Sequence, residues 1–443
     1  MIRIIQRIKK LLNDSFWNKL FKNAITVFTG STGASIINFF VVIITIKILG
    51  NFNYAIFILA QQYMLILDAL INFQAWQGVI KYGTDAINAH DYEKLAGIIK
   101  AGFLIDIFTA FMGIIIAFIT LFVVKTIFHW DDIRILLSFI FSIEIIFHIE
   151  GTSIGILRLF NKFNFQAIHS IISALITLLV VFLYYISGAR NIILFTILYV
   201  FLDIIKHLSL VFISFSVLKK MKLFEGQQQI NIKKIGKEFY KFTIWTNLSS
   251  TLDIPVQYFD VFIISTLSME MVSVYKVFKQ LTKIISSLTR PIAQSILPQF
   301  SEIISQGQID DGYRKIIKIR NVILLLIFVA SVITLIIGKP IFCIILGQEF
   351  GDNLLLFELL LLINGIGFSH VALHPFFLAL GKAKEDAYLN FITNMIYILL
   401  AFFLTKVIGI YGIIIAFLVQ TLLTLIVKTY ITKRTIKFIS GGT

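Results

Sequence analysis

Runs of about 20 apolar residues follow one another along the chain from Ala24 to Thr429, separated by short polar breaks. A helical run of that length matches the thickness of a bilayer's hydrocarbon core. The pattern predicts twelve membrane-spanning helices, at residues 24–47, 54–76, 96–124, 134–156, 166–187, 191–214, 241–267, 271–298, 320–338, 353–374, 386–405 and 409–430. Ahead of them, residues 1–23 place Ile4, Ile5, Ile8, Leu11, Leu12 and Phe16 at helical spacing with basic residues between. Such a segment is expected to lie on the cytoplasmic membrane surface as an amphipathic helix. The first apolar run is a full-length span without an A-x-A-like site, so no cleavable signal peptide is expected.

Composition agrees with the pattern. The 443 residues are 58% hydrophobic with a mean hydropathy of +0.91, above the apolar content of soluble domains. The lone Cys343 excludes an internal disulfide and a cysteine metal cluster. A formal charge of +15 raises nucleic acid as a partner, but its distribution answers otherwise. Alternate breaks, taken with the two ends, carry 27 Lys/Arg, against five on the others: Lys47, Lys125, Arg190, Lys339 and Lys406. By the positive-inside rule both termini are expected to be cytoplasmic, and the charge is a topology signal.

The longest polar segment, "LKKMKLFEGQQQINIKKIGKEFY" at 218–240, is expected to be a cytoplasmic linker. It separates a six-helix bundle over 24–217 from a second over 241–432, leaving 433–443 as a cytoplasmic tail. The halves align at an offset near 220: "ILGNFNYAIFILAQQYMLI" lies over "TLSMEMVSVYKVFKQLTKI", and "DYEKLAGIIK" over "GYRKIIKIRN". The expected fold is therefore an all-α membrane protein of two six-helix bundles related by an internal repeat. Between such bundles a central cavity usually holds the substrate.

The eighth span, "VSVYKVFKQLTKIISSLTRPIAQSILPQF", carries Lys276, Lys279, Lys283 and Arg290. At about 100° per residue all four fall within roughly a 60° arc. Cations facing lipid at mid-membrane are costly, so an aligned column implies pairing or an aqueous path. The intramembrane carboxylates Asp68, Asp106, Glu144, Asp203, Asp253 and Asp260 are available to neutralise it. However, Asp203 has Lys206 at i+3 and Glu144 has His148 at i+4. An anionic substrate explains the surplus better. In the repeat alignment Gln61, Asp68 and Asn72 of the second span match this column and, with Asn38, are expected to line the same cavity.

Several motifs resemble the Wzx-like polysaccharide flippases of the multidrug/oligosaccharidyl-lipid/polysaccharide exporter superfamily. They are "KILGNFNYAIFILAQ" after span 1, "GILRLFNKFNFQA" after span 4, "VSVYKVFKQL" entering span 8 and "SILPQFSE" closing it. "LALGKAKE" and "TKVIGIYGIIIAF" complete the set, while Ala55 and Ser273 stand where the family usually has Gly. The resemblance implies translocation of an undecaprenyl-pyrophosphate-linked repeat unit for O-antigen (lipopolysaccharide), capsule or other surface polysaccharide. It also implies membrane lipids, a polysaccharide polymerase and a chain-length regulator as partners, with no nucleic acid and no catalysis. A pyrophosphate suits the column: lysines are rotatable point charges able to pass a phosphate along.

Other groups have competing readings. Glu144, His148, Gly151, Gly155 and Arg158 share one face of span 4, suited either to small-residue helix packing or, through Glu144 and His148, to proton coupling. Asp253 and Asp260 lie seven apart around Pro255 and are ion-coupling candidates as well. His370 and His374 resemble half a metal site without a carboxylate companion, so packing is expected and no metal. No Walker A motif occurs, so transport is expected to need no cofactor and to be driven by H+, Na+ or the membrane potential. Two rivals stay open: an ion-coupled drug or metabolite exporter of the same superfamily, and a polytopic polysaccharide polymerase.

Overall fold

The computed structural model describes residues 15–221, 235–251 and 254–439. These residues are helical almost throughout and contain no strand. Eight helical stretches among them are long and apolar enough to cross a membrane, the longest being Thr32–Asn88, Tyr92–Phe128 and Ile309–Ile345. Large apolar side chains point outward from them: Phe122, Phe212, Ile336 and Ile344 are each at least 70% exposed, as suits a surface facing lipid. This is a multi-pass membrane protein.

By packing, the chain forms two compact units, Ile44–Ser273 and Met1–Ile43 with Val274–Thr443. The limits fall inside helices, whereas the division expected from sequence lies in 218–240, where 222–234 is outside the described residues. Residues 1–14 of the expected amphipathic segment are outside them too, while helix begins at Ser15.

In chain order the helices are α1 (Ser15–Ile71), α2 (Trp76–Asn88), α3 (Tyr92–Phe128), α4 (Asp132–Ser142), α5 (Gly151–Leu159), α6 (Phe163–Ile186), α7 (Ile192–Lys220), α8 (Lys237–Thr251) and α9 (Asp260–Ser265). Then come α10 (Met269–Ser305), α11 (Ile309–Ile345), α12 (Gln348–Asp352), α13 (Leu354–Ser369), α14 (Leu373–Ala379), α15 (Ala383–Ile408) and α16 (Ile410–Ile439). Side chains start several of them locally. Asp91 accepts from the Lys94 N–H, Asp131 from Arg134 and Asn191 from Ile193 and Leu194, each satisfying donors that a first turn leaves unpaired. Gly50, with φ 73° and ψ 164°, breaks α1 between the first two apolar runs.

The Ile44–Ser273 unit has a core where α2, α3, α5 and α8 meet, including Val79, Leu95, Ile98, Ile156 and Phe239. Small residues allow the approach. A Cβ on Gly155 would meet the Trp76 backbone at 3.1 Å, and one on Gly151 the Gln74 Cα at 3.0 Å. In the other unit Phe300, Ile316, Ile323, Phe376 and Ile436 tie α10, α11, α14 and α16 together.

Four predicted spans are not continuous helices, one of them 353–374, which turns over 370–372 between α13 and α14. The 134–156 span is α4, then a 3-10 stretch over Ile143–Phe147, then α5. The 241–267 span is interrupted by a π-helical turn over Pro255–Phe259. Helix also stops at Ile71, before the expected 76, and restarts at Trp76. The last break is held by side chains: the N–H groups of Phe73, Gln74 and Ala75 donate to Thr109, Asn247 and Asp106 at 3.1, 3.1 and 2.9 Å. Irregular backbone at membrane depth persists only where such partners exist.

Candidate functional site

Helix α10 runs unbroken from Met269 to Ser305, so Lys276, Lys279, Lys283 and Arg290 keep the helical register that places them on one side. Lys276 and Lys279, with Gln280 and Ile284, line a cavity of about 240 Å³ whose opposite wall is Ser35 and Asn38 of α1. The Lys279 ammonium also lies 5.8 Å from the centre of the Tyr275 ring, within cation–π range. A lining of two lysines, a serine and an asparagine has the chemistry to bind an anion's oxygens. The side chains of Lys283 and Arg290 lie outside the described residues.

A second polar centre is buried in the Ile44–Ser273 unit. The His148 ring joins two carboxylates: Nδ1 is 3.0 Å from Asp68 Oδ2, and Nε2 is 2.9 Å from Glu144 Oε1. His207 continues the chain, with Nε2 3.6 Å from the same Glu144 oxygen and Nδ1 2.8 Å from Glu150 Oε2. The two imidazole centroids are 4.0 Å apart. Asn72 orients the entry, its amide donating to Asp68 Oδ1 at 2.9 Å and to the His148 carbonyl at 2.8 Å. That carbonyl is available because the helix is broken after Phe147. Nearby, Lys206 pairs with Asp203 at 2.7 Å, and Gln61 bonds the Tyr199 hydroxyl.

Other predicted groups go elsewhere. Asp106 is fully buried and accepts from the Ala75 and Thr152 N–H groups at 2.9 and 2.6 Å. It closes the N-terminal ends of α2 and α5, where a negative charge is favoured. Asp260 is fully buried and accepts from the Val261 N–H at 2.8 Å, while Asp253 lies outside the described residues. His370 bonds within its own turn to Ser369 and the Ile366 carbonyl. His374 instead approaches Asp386 at 3.5 Å, so the two histidines share no such partner. Lys428, counted from sequence among the cytoplasmic basic residues, is buried and 2.5 Å from Asp386. Arg158 stacks on Trp76, 4.7 Å from its ring centre.

A family model described as "Polysaccharide biosynthesis protein" matches residues 20–304. The chain belongs to this family. The matched region contains the lining of the Lys276–Lys279 pocket and the whole Asp68–Glu150 network. Among curated protein sequences none matches. Among solved structures, a multidrug resistance MATE transporter of the MOP superfamily in an inward-facing conformation has a TM-score of 0.72 at 10% identity, covering 92% of this chain and 96% of its own. The lipid II flippase MurJ, inward closed, has a TM-score of 0.69 at 16% identity over 94% and 90%. The eukaryotic MATE transporter AtDTX14 has 0.63 at 12% identity over 96% and 98%. This family member thus has a fold shared by MATE exporters and MurJ.

Sequence reasoning missed His207, Glu150 and Asn247. The first had a signal: an ionisable D-x-x-K-H run at 203–207 inside an apolar span, which inside a membrane points to function by default. Glu150 carried the same signal, an acid inside the 134–156 span, whereas Asn247 had none, since its partner lies 173 residues away.

Proposed function

We propose that this protein moves an undecaprenyl-pyrophosphate-linked oligosaccharide from the cytoplasmic to the outer leaflet of a bacterial plasma membrane, for O-antigen, capsule or a related surface polysaccharide. The observation that carries the reading is the pocket of Lys276, Lys279, Ser35 and Asn38, in a polysaccharide biosynthesis protein with the fold of a lipid II flippase. A pyrophosphate brings negative charge that hydrocarbon rejects, and the two ammonium groups offer it charge-assisted hydrogen bonds. Lys283 and Arg290 extend the same column along α10. Gln61, Asp68 and Asn72 serve the pathway from the second apolar run. The proposed architecture is twelve helices in two repeated bundles with both termini cytoplasmic, working by alternating access. A polymerase and a chain-length regulator act on the product, and the protein itself performs no catalysis.

The driving force is an H+ or Na+ gradient or the membrane potential, with Asp253, Asp260, Glu144 and His148 as the coupling candidates. Neutralising the coupling residue abolishes net transport while leaving substrate binding within a few-fold. Unchanged transport in all of the Asn and Gln variants would place coupling elsewhere. The exporter reading shares the fold, since MATE structures match as well as MurJ does. It fits the pocket less well, because a cationic drug would meet two lysines.

Surface polysaccharide in a flippase-deficient strain tests the main reading. Lys279→Arg should retain much of the complementation and Lys279→Ala lose most of it. A charge-assisted hydrogen bond contributes about 1.5–3 kcal/mol, so each loss weakens binding roughly ten- to a hundredfold. Full complementation by the double variant Lys276→Ala/Lys279→Ala would refute the reading.

A further inference from the structure

We propose that Glu144, His148 and His207 bind one divalent transition-metal ion of the Zn2+ class within the Ile44–Ser273 unit. The inference stands on the geometry of the buried centre and does not depend on the transport reading. Each histidine has its Nδ1 against a carboxylate, His148 against Asp68 at 3.0 Å and His207 against Glu150 at 2.8 Å. An ionised carboxylate only accepts, so these contacts place a proton on both Nδ1 atoms. Both Nε2 atoms then turn toward the Glu144 carboxylate, 2.9 and 3.6 Å from Oε1. With one proton per ring these are lone pairs directed at an anion, an arrangement that repels unless a second ring proton or a metal ion supplies positive charge there. The other oxygen, Glu144 Oε2, is buried with no hydrogen-bond partner.

A metal ion answers each of these features. The candidate ligand atoms lie within 4.8 Å of one another, and the residues are 2%, 6% and 8% exposed. Around a tetrahedral zinc with bonds near 2.0–2.1 Å, neighbouring ligand atoms are about 3.3 Å apart. The two nitrogen-to-oxygen separations bracket that distance. Two imidazoles and one carboxylate suit Zn2+, Co2+ or Ni2+, whereas Mg2+ and Ca2+ want oxygen alone. Asp68 and Glu150 supply the outer carboxylates that fix ring orientation in such sites. Three carboxylates around two neutral rings carry three negative charges, which a divalent ion reduces to one. Glu144 and His148 come from the broken stretch between α4 and α5, and His207 from α7, so the ion fastens an irregular segment to a regular helix. Occupied, it would remove Glu144 and His148 from the groups free to exchange H+ or Na+ and leave that role to Asp253 and Asp260.

The test uses full-length, tag-free protein in detergent micelles, stripped with a chelator, dialysed and then titrated with Co2+ and separately with Zn2+. The expected result is one equivalent of Zn2+ per chain by elemental analysis and intense visible d–d absorption of tetrahedral Co2+. His148→Gln and His207→Gln should abolish the spectrum. The milder Asp68→Asn and Glu150→Gln should weaken affinity roughly ten- to a hundredfold, the range seen for outer-shell carboxylates. His129→Gln, at an exposed position, should bind like the parent and controls for surface histidines. Absence of stoichiometric metal in the monodisperse parent protein overturns the proposal. So does retention of the Co2+ spectrum in both ligand variants, or nitrogen NMR showing His148 and His207 doubly protonated at pH 7 with Zn2+ present. That last outcome would mean that two protons supply the positive charge.

Discussion

Asp106 shows what one buried carboxylate can do in a broken membrane helix. Its two oxygens take the Ala75 and Thr152 N–H groups at the first turns of two helices. Removing them leaves two buried donors without partners, each costing about 1–3 kcal/mol. Asp106→Ala should therefore lower the melting temperature in detergent sharply, while Asp106→Asn, which keeps one acceptor, should lower it less. Equal melting of Asp106→Ala and the parent would show that the carboxylate holds neither turn. Lys428 and Asp386 are likewise an internal pair. Lys428→Ala leaves Asp386 with the His374 ring at 3.5 Å and the Asn390 amide at 3.4 Å but no lysine, and should destabilise by more than an exposed Lys384→Ala, since breaking a buried pair costs about 3–5 kcal/mol.

At the level of elements, the joints are set by residues that cannot be exchanged freely. Gly50 lies at φ 73° and ψ 164° with open space around its Cα. A side chain there has room but not the backbone, at a cost of roughly 1–3 kcal/mol. Gly50→Ala should lower thermal stability by that order, and Gly236→Ala, also uncrowded but without a positive φ, should stay within about 0.5 kcal/mol. A melting curve for each variant separates conformational strain from simple crowding. Gly155 represents the opposite case, an ordinary backbone where any Cβ meets the Trp76 main chain. The 3-10 stretch at Ile143–Phe147 belongs with these joints, because it turns Glu144 and His148 into the interior and frees the carbonyl that Asn72 bonds.

Over the whole molecule, basic residues and apolar length together set the orientation expected in the membrane. Reporter fusions after Tyr92, Gly226, Gly307 and Gly381 should read cytoplasmic, and fusions after Asn51, Trp130 and Gln348 external. The burial of Lys428 takes one cation from the cytoplasmic tally without changing its sign. An external reading at Gly226 would overturn the six-plus-six arrangement. The outward apolar surface, with Ile344 81% and Phe122 77% exposed, predicts aggregation on detergent removal and recovery in lipid nanodiscs, checked by size-exclusion chromatography.

The sequence by itself determined the helical, multi-pass class and the shared side of Lys276 and Lys279, because both depend on local period. Apolar length and the 3.6-residue turn act within one segment, so Lys276 and Lys279 could be assigned to one side of a helix before any packing was known. The family motifs were legible for the same reason, as contiguous runs. The local pairs Glu144–His148 and Asp203–Lys206 were legible as i+4 and i+3 neighbours, whereas tertiary structure alone decided where helices break and which buried charges from different segments meet. Asp68, the Glu144–Glu150 stretch and His207 come from segments far apart in the chain, and Asp106 serves backbone donors 31 and 46 residues away. Such contacts depend on how neighbouring helices approach, and a periodic pattern read along one helix carries no information about the helix beside it.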